Sequence, residues 1–159
     1  MASDLPPGVR VRDARPEDAE AILALYKASY SMHADPHRPP TAGLRDTIDD
    51  VRAYLRDMEV LVAEDGAGRV VGTVGVRSVA NVRRLAVDPG RAGGGLGGAL
   101  LEAAVARAKA RGFEVAMLDT YAGHPWLPGF YRRHGFEDRS VERFPDGSEW
   151  LQLRRRLRE

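Results

Sequence analysis

Residues 93–98 read Gly-Gly-Gly-Leu-Gly-Gly, five glycines in six positions. They follow the strand-like run Val82–Val87 and precede a helix-forming run from Ala99 to Val105. Strand, side-chain-free loop and helix in that order predict the first half of a βαβ crossover. Glycine lets backbone come close to a ligand. The first-turn N–H groups of a helix have no intrahelical partners, and the positive end of the helix dipole lies with them. Such a helix start favours anions, phosphates above all. A glycine-rich turn with no ligand is the alternative.

The flanking chain divides into short elements. Gly8–Ala14 alternates as a first strand, and Arg15-Pro16-Glu17-Asp18 starts a helix with proline early and acids in the first turn. Ala34–Gly43 is a proline-rich loop, and Asp46–Met58 is an amphipathic helix with Ile48, Val51, Tyr54 and Leu55 on one face. Val60–Glu64 and Arg69–Val76 form a hairpin about Asp65-Gly66-Ala67-Gly68, and Val82–Val87 is the next strand. The helix after the glycines runs from about Leu96 to Arg111 and stops at Gly112. Val115–Asp119 then lies parallel to Val82–Val87 through a right-handed crossover. A loop from Tyr121 to Pro128 leads to a short helix carrying Phe130 and Tyr131, and two strands close the chain about Pro145-Asp146-Gly147. The run Arg154–Arg158 is expected on a solvated edge strand. The whole predicts one mixed α/β domain over residues 1–159, with a mostly antiparallel sheet of six to seven strands, one parallel unit and about four helices.

Composition narrows the classes. A net charge of +1 gives no electrostatic case for nucleic acid, and no apolar run approaches the ~20 residues that span a bilayer. The absence of cysteine excludes disulfides, thiolate metal sites and a cysteine nucleophile, and no metal site is expected. The first residues lack the basic and apolar regions of a signal peptide, so a cytoplasmic monomer or homodimer is expected. His33 and His37 flank Pro36 and are read as loop residues rather than a metal pair.

Three phosphate sites compete for the glycine loop. A Walker A loop needs Gly-Lys-Ser/Thr, which is missing. Gly93-x-Gly95-x-x-Gly98 fits the dinucleotide fingerprint, with Asp119 about twenty residues on, as a nicotinamide-dependent oxidoreductase requires. Against it, Asp88–Ala92 separate the strand from the first glycine, and hairpins precede the unit. The third site rests on a longer match. Leu85-Ala86-Val87-Asp88-Pro89, then Arg91-Ala92-Gly93-Gly94-Gly95-Leu96-Gly97-Gly98 and the leucines Leu100 and Leu101, resembles the acetyl-CoA loop of the GNAT superfamily of N-acetyltransferases. Phe130-Tyr131-Arg132-Arg133-His134-Gly135-Phe136 and Arg69–Gly75 resemble two further segments of that family, in its order and spacing.

The resemblance implies transfer of acetyl from acetyl-CoA to a primary amine of a small molecule or peptide. It implies that Leu85, Ala86 and Val87 contact the cofactor and offer a backbone N–H to the oxyanion, that Arg91 to Gly98 hold its pyrophosphate, and that Tyr131 meets its sulfur. Three positions depart from the family pattern. Ala92 stands where relatives carry Arg or Gln, so the grip on phosphate falls to backbone amides, with Arg91 one residue early. Asn81 stands where many relatives carry a glutamate base, and an amide cannot take a proton. His124 stands where relatives often carry an asparagine that contacts the pantetheine arm. Candidate bases are therefore His124, which titrates near neutrality, Asp119, Glu142 or a carbonyl-held water. The acceptor is expected between residues 30–43 and the last hairpin, near Phe144 and Trp150, with Asp35, Asp46 and Glu142 to attract an amine. A weakly active CoA-binding or regulatory module is the alternative reading.

Overall fold

The strand Glu59–Glu64 sends successive side chains to opposite sides, and both sides are apolar. Val60 and Val62 enter one core while Leu61 and Ala63 enter another. A sheet buried on both faces follows, with a helical layer on each. A computed structural model describes residues 5–31, 42–78 and 80–158. Its strands are β1 (Arg10–Asp13), β2 (Glu59–Glu64), β3 (Val70–Arg77), β4 (Asn81–Val87), β5 (Val115–Tyr121), β6 (Glu137–Arg143) and β7 (Glu149–Arg156). The α-helices among the described residues are α1 (Ala19–Ser31), α2 (Ala42–Arg45), α3 (Ile48–Asp57), α4 (Leu96–Ala110) and α5 (Leu127–Arg133). None is long and apolar enough to cross a membrane.

The sheet runs β1-β2-β3-β4-β5-β7-β6 and is antiparallel except at β4–β5. This is the expected mixed α/β architecture, with α2 as an additional short helix. α1 and α3 cover the face that carries Val60, Val62 and Ala86, and α4 and α5 cover the other. Local chemistry sets the boundaries. Thr47 caps α3 by accepting from the Asp50 N–H, while the Asp50 carboxylate reaches back to the Thr47 N–H at 2.8 Å, so the helix starts two residues after Asp46. Gly112 turns the chain out of α4 at φ +88°.

One expectation is corrected. The arginine run does not lie on an edge strand: β7 sits between β5 and β6, and the exposed edge is β6. Leu151, Leu153 and Leu157 of the last segment are buried beneath α4 and α5, which anchors β7 inside the sheet. Arg154 points to solvent on the opposite face, and Arg155 turns inward to Glu102 of α4 at 2.9 Å.

Candidate functional site at the splayed strands

β4 and β5 meet at one end only. Asn81 stands opposite Met117, whose N–H donates to the Ala80 carbonyl at 3.0 Å. By contrast β5 and β7 pair from Val115–Arg156 to Tyr121–Trp150. The parallel pair therefore opens beyond Asn81, and a cavity of about 950 Å³ fills the opening. Its lining reaches both faces of the sheet: Leu96, Phe130 and Tyr131 on the α4–α5 side, Tyr30 and Arg83 on the α1–α3 side.

A bulge in β4 accompanies the opening. Gly75 faces Arg83 and Thr73 faces Ala86, so Arg84 and Leu85 share the place opposite Val74. Arg84 takes φ +55°, a left-handed conformation costly for a residue that carries a Cβ. The guanidinium is tied down: Nε donates to Asp46 Oδ2 at 2.9 Å and Nη2 donates to Tyr54 Oη at 3.0 Å. Burial opposes that charge, but the bonds and attraction of Asp46 and Tyr54 outweigh it and hold the Arg84 pKa above its ordinary value. Asp46, expected to attract an amine, is instead buried and bonded to Arg84 and Tyr54. Beyond the bulge the Leu85 carbonyl accepts from the Tyr30 hydroxyl at 2.9 Å, and the Val87 N–H reaches Ser29 Oγ at 3.4 Å. These partners on α1 show that Leu85 and Val87 turn their backbone groups away from β3.

The glycine loop lies at the far end of β4. Asp88 ends the strand, accepting from the Gly90 N–H at 2.9 Å and from Arg69 at 2.7 Å. Gly93 and Gly95 have φ of +82° and +84°, and a Cβ on either would meet open space. Gly95 is the N-cap of α4, and no side chain caps that helix. Its first helical bond is Ala99 N–H to the Gly95 carbonyl, which leaves the Leu96, Gly97 and Gly98 amides as the unpartnered first turn. Gly97 and Gly98 also bring α5 close. A Cβ on Gly98 would lie 3.0 Å from the His134 ring, and one on Gly97 would lie 3.8 Å from Phe130. Arg91 lines the cavity and is bonded to Asp65 at 3.2 Å. Ala92 and Gly94 are exposed beside it.

The face of α5 toward the cavity carries Tyr131. Its ring packs on Phe130 and Phe136 at centroid distances of 5.2 and 6.2 Å. Its hydroxyl has no hydrogen-bond partner among the described residues, and burial pushes the phenol up to about 12. His124 is buried and precedes α5. Its Nδ1 accepts from the backbone N–H groups of Trp126 and Leu127 at 3.2 and 3.0 Å. A nitrogen that accepts two N–H groups carries a lone pair, so the neutral ring holds its proton on Nε2. These bonds explain why α5 begins at Leu127, two residues before the expected Gly129. Asn81, Asp119 and Glu142 all line the cavity. His33, Asp35 and His37 lie outside the described residues.

Ser29, which reaches β4 from α1, and Arg83 of β4 are lining residues that the sequence did not single out, and nothing local marked Ser29. Arg83 had a plainer signal, since charged residues interrupt an otherwise apolar strand.

A sheet opened at its single parallel pair, with an uncapped glycine-led helix start on one side and a buried phenol in the gap, forms one continuous pocket. Comparison with known proteins places it further. Residues 56–138 match the acetyltransferase (GNAT) domain family. The chain is 32% identical over 138 residues to the L-methionine sulfoximine/L-methionine sulfone acetyltransferase of Pseudomonas aeruginosa, covering 80% of this chain and 79% of that one. It is 30% identical over 141 residues to the mycothiol acetyltransferase of Clavibacter sepedonicus, covering 87% of this chain and 46% of that one. It thus spans about half the length of the mycothiol acetyltransferases it matches. Among solved structures, a GCN5-related N-acetyltransferase from Rhodopseudomonas palustris superposes with TM-score 0.81 at 20% identity, covering 98% of each chain. The PaiA N-acetyltransferase of Thermoplasma acidophilum, solved in complex with coenzyme A, superposes with TM-score 0.75 at 17% identity over 93% of this chain and 98% of that one. At these identities the structural likeness is one of fold. The chain belongs to the GNAT acetyltransferase family.

Proposed function

We propose that the protein transfers an acetyl group from acetyl-CoA to a primary amine. The observation that carries this reading is the through-sheet cavity, which joins the uncapped α4 start to the Tyr131 hydroxyl along the opened edge of β4. The Leu96, Gly97 and Gly98 amides, with Gly93, Gly94 and Gly95 before them, hold the pyrophosphate. Arg91 and Arg133, both on the cavity, add charge. Leu85, Ala86 and Val87 line the pantetheine arm, and a backbone N–H of that stretch receives the oxyanion. Such a donor in a water-poor site is worth about 3–4 kcal/mol to the transition state.

The proton ledger is simple. An ammonium acceptor gives one proton to solvent before it attacks. The C–N bond forms as the C–S bond breaks, and the second nitrogen proton ends on sulfur. Tyr131 donates a hydrogen bond to that sulfur. His124 fixes the start of α5 and hence Tyr131, because taking a proton on Nδ1 would break both of its backbone bonds. The first proton leaves instead by way of Asp119 or Glu142, cavity-lining carboxylates that are open to solvent.

Thermal unfolding with acetyl-CoA, CoA or NADH tests the reading. A ligand at about 100 times its Kd stabilises by about 2.7 kcal/mol. Acetyl-CoA and CoA should do so, and NADH should not; the reverse pattern overturns the reading. CoA binding without thiol release across an amine panel would leave a binding module, the outcome that Asn81 and Ala92 would then account for.

Gly95→Val offers a local check. The left-handed φ strains the variant by about 1–2 kcal/mol. Its Cβ meets only open space in the free protein. Calorimetry should show acetyl-CoA binding at least about tenfold weaker, a loss of about 1.4 kcal/mol. Undiminished affinity would place the phosphates elsewhere.

A further inference from the structure

The two strands that open also oppose two charges. Asn81 and Met117 are register partners, and parallel partners point their side chains to the same face. Two residues further along each strand, Arg83 and Asp119 therefore share that face across the opening. The burial pattern agrees, since Val82, Ala116 and Leu118 sit in the core on the opposite face. Among the described residues neither the Arg83 nor the Asp119 side chain makes a hydrogen bond or an ion pair. They interact only at longer range. Arg83 is half-buried, and burial together with repulsion from Arg77 and Arg84 depresses its pKa. Among the described residues, then, no anion touches this guanidinium.

Coenzyme phosphates are not that anion. The glycine loop follows the far end of β4, and the α4 start belongs to the other face of the sheet. From Arg83 to Val87 the strand alone spans about 13 Å. One row outward from Asp119, the wall is aromatic. Trp150 is the register partner of Tyr121, and its ring lies 6.1 Å from Tyr121 and 6.3 Å from Phe144.

We propose that the acceptor is a zwitterion, a free α-amino acid with an apolar side chain. Arg83 holds its carboxylate, Asp119 receives its ammonium, and the Tyr121–Trp150–Phe144 wall takes the side chain. This rests on the acetyl-transfer reading and names the substrate class of that site. Arg83 is then a specificity-determining residue: a guanidinium matches a carboxylate with two parallel donors. An acceptor without the carboxylate leaves the cation unpaired, which a polar site penalises heavily.

The test compares L-leucine, L-leucinamide and isoamylamine, with the phenylalanine series alongside. The wild-type protein should prefer the acid over its amide by about 100-fold in kcat/KM, a size typical of a charge-assisted contact. In Arg83→Gln that ratio should fall to within about threefold of unity, and Arg83→Lys should recover part of it. Asp119→Asn should raise KM for every amine in the panel. A wild-type preference for amides or simple amines overturns the proposal, as does an unchanged ratio in Arg83→Gln. Binding is read separately, as quenching of tryptophan fluorescence by L-leucine or L-phenylalanine with CoA present. Quenching of the wild type but not of Arg83→Gln supports the zwitterion site even without turnover, and no quenching of the wild type overturns it. Failure of the acetyl-transfer reading looks different, since neither acetyl-CoA nor CoA would then raise Tm.

Discussion

Tyr131→Phe is expected to lower kcat about 100-fold, within the usual range for loss of a proton-handling group, and to change the Kd of acetyl-CoA by less than about twofold. One oxygen is removed and the ring stays, so the contacts with Phe130 and Phe136 persist. That oxygen is buried, lines the cavity and has no bonding partner among the described residues. A buried hydroxyl without a partner normally costs free energy, so its removal should not destabilise the fold. Burial pushes the phenol up to about 12, whereas a free thiol titrates near about 8.5. In the proposed reaction the phenol keeps its own proton and donates a hydrogen bond to sulfur as the C–S bond breaks. It follows that no alkaline limb of kcat below about pH 11 should belong to Tyr131. The raised pKa also makes stability fall as pH climbs from 10.0 toward 12, since the unfolded phenol ionises first, and the Phe variant should lack that part of the loss. Steady-state kinetics with calorimetry decides the matter. An unchanged kcat would leave the phenol a packing group, and a joint loss of kcat and binding would mean a disturbed fold.

Much of this site could be read from the chain because its information is local. Gly93 and Gly95 adopt a left-handed conformation that glycine reaches freely, and a strand, a loop and a helix in succession place their amides. The apolar runs of β2, β3 and β5 reveal their strands by composition alone. What stayed hidden depends on pairing between distant segments. Nothing local shows that β7 inserts between β5 and β6, so a run of arginines reads as an edge. In the sheet, alternation sends Arg154 outward and Arg155 inward to Glu102. The register that sets Arg83 beside Asp119 comes from a single contact, Asn81 with Met117, between strands separated by the whole of α4. His124 was legible as a titratable loop residue. Its hold on the start of α5 was not, because it acts from two residues before the N-cap Trp126, outside the position where capping side chains are sought. Asp46 looked like a surface acid for the same reason: its partner Arg84 lies 38 positions away.

That pair carries the last large effect. Asp46→Ala is expected to destabilise the protein by about 3 kcal/mol, the low end for removing one partner of a buried ion pair. The low end applies because the side chains are 17% and 7% exposed for Arg84 and Asp46 rather than wholly buried. For a domain of this length the loss should appear as a drop in Tm of about 6–12 °C. The consequence reaches the site, because Arg84 holds φ +55° at the bulge where β4 turns from β3. Without Asp46 that conformation loses its main restraint, the bulge relaxes, and Leu85 and Val87 no longer present their backbone groups to the cavity. KM for acetyl-CoA should rise along with the loss of stability. A second substitution separates strain from charge. Glycine adopts a positive φ without penalty, so Arg84→Gly keeps the bulge while removing the cation. In the Asp46→Ala background it should restore about 1–2 kcal/mol, through relief of the left-handed strain and removal of the orphaned charge. Denaturant unfolding of the two single variants and the double variant measures that coupling. Additive losses would show that Asp46 and Arg84 stabilise the fold independently. A double variant more stable than Asp46→Ala, with KM for acetyl-CoA recovered, would show that the pair exists to hold the bulge that opens the sheet.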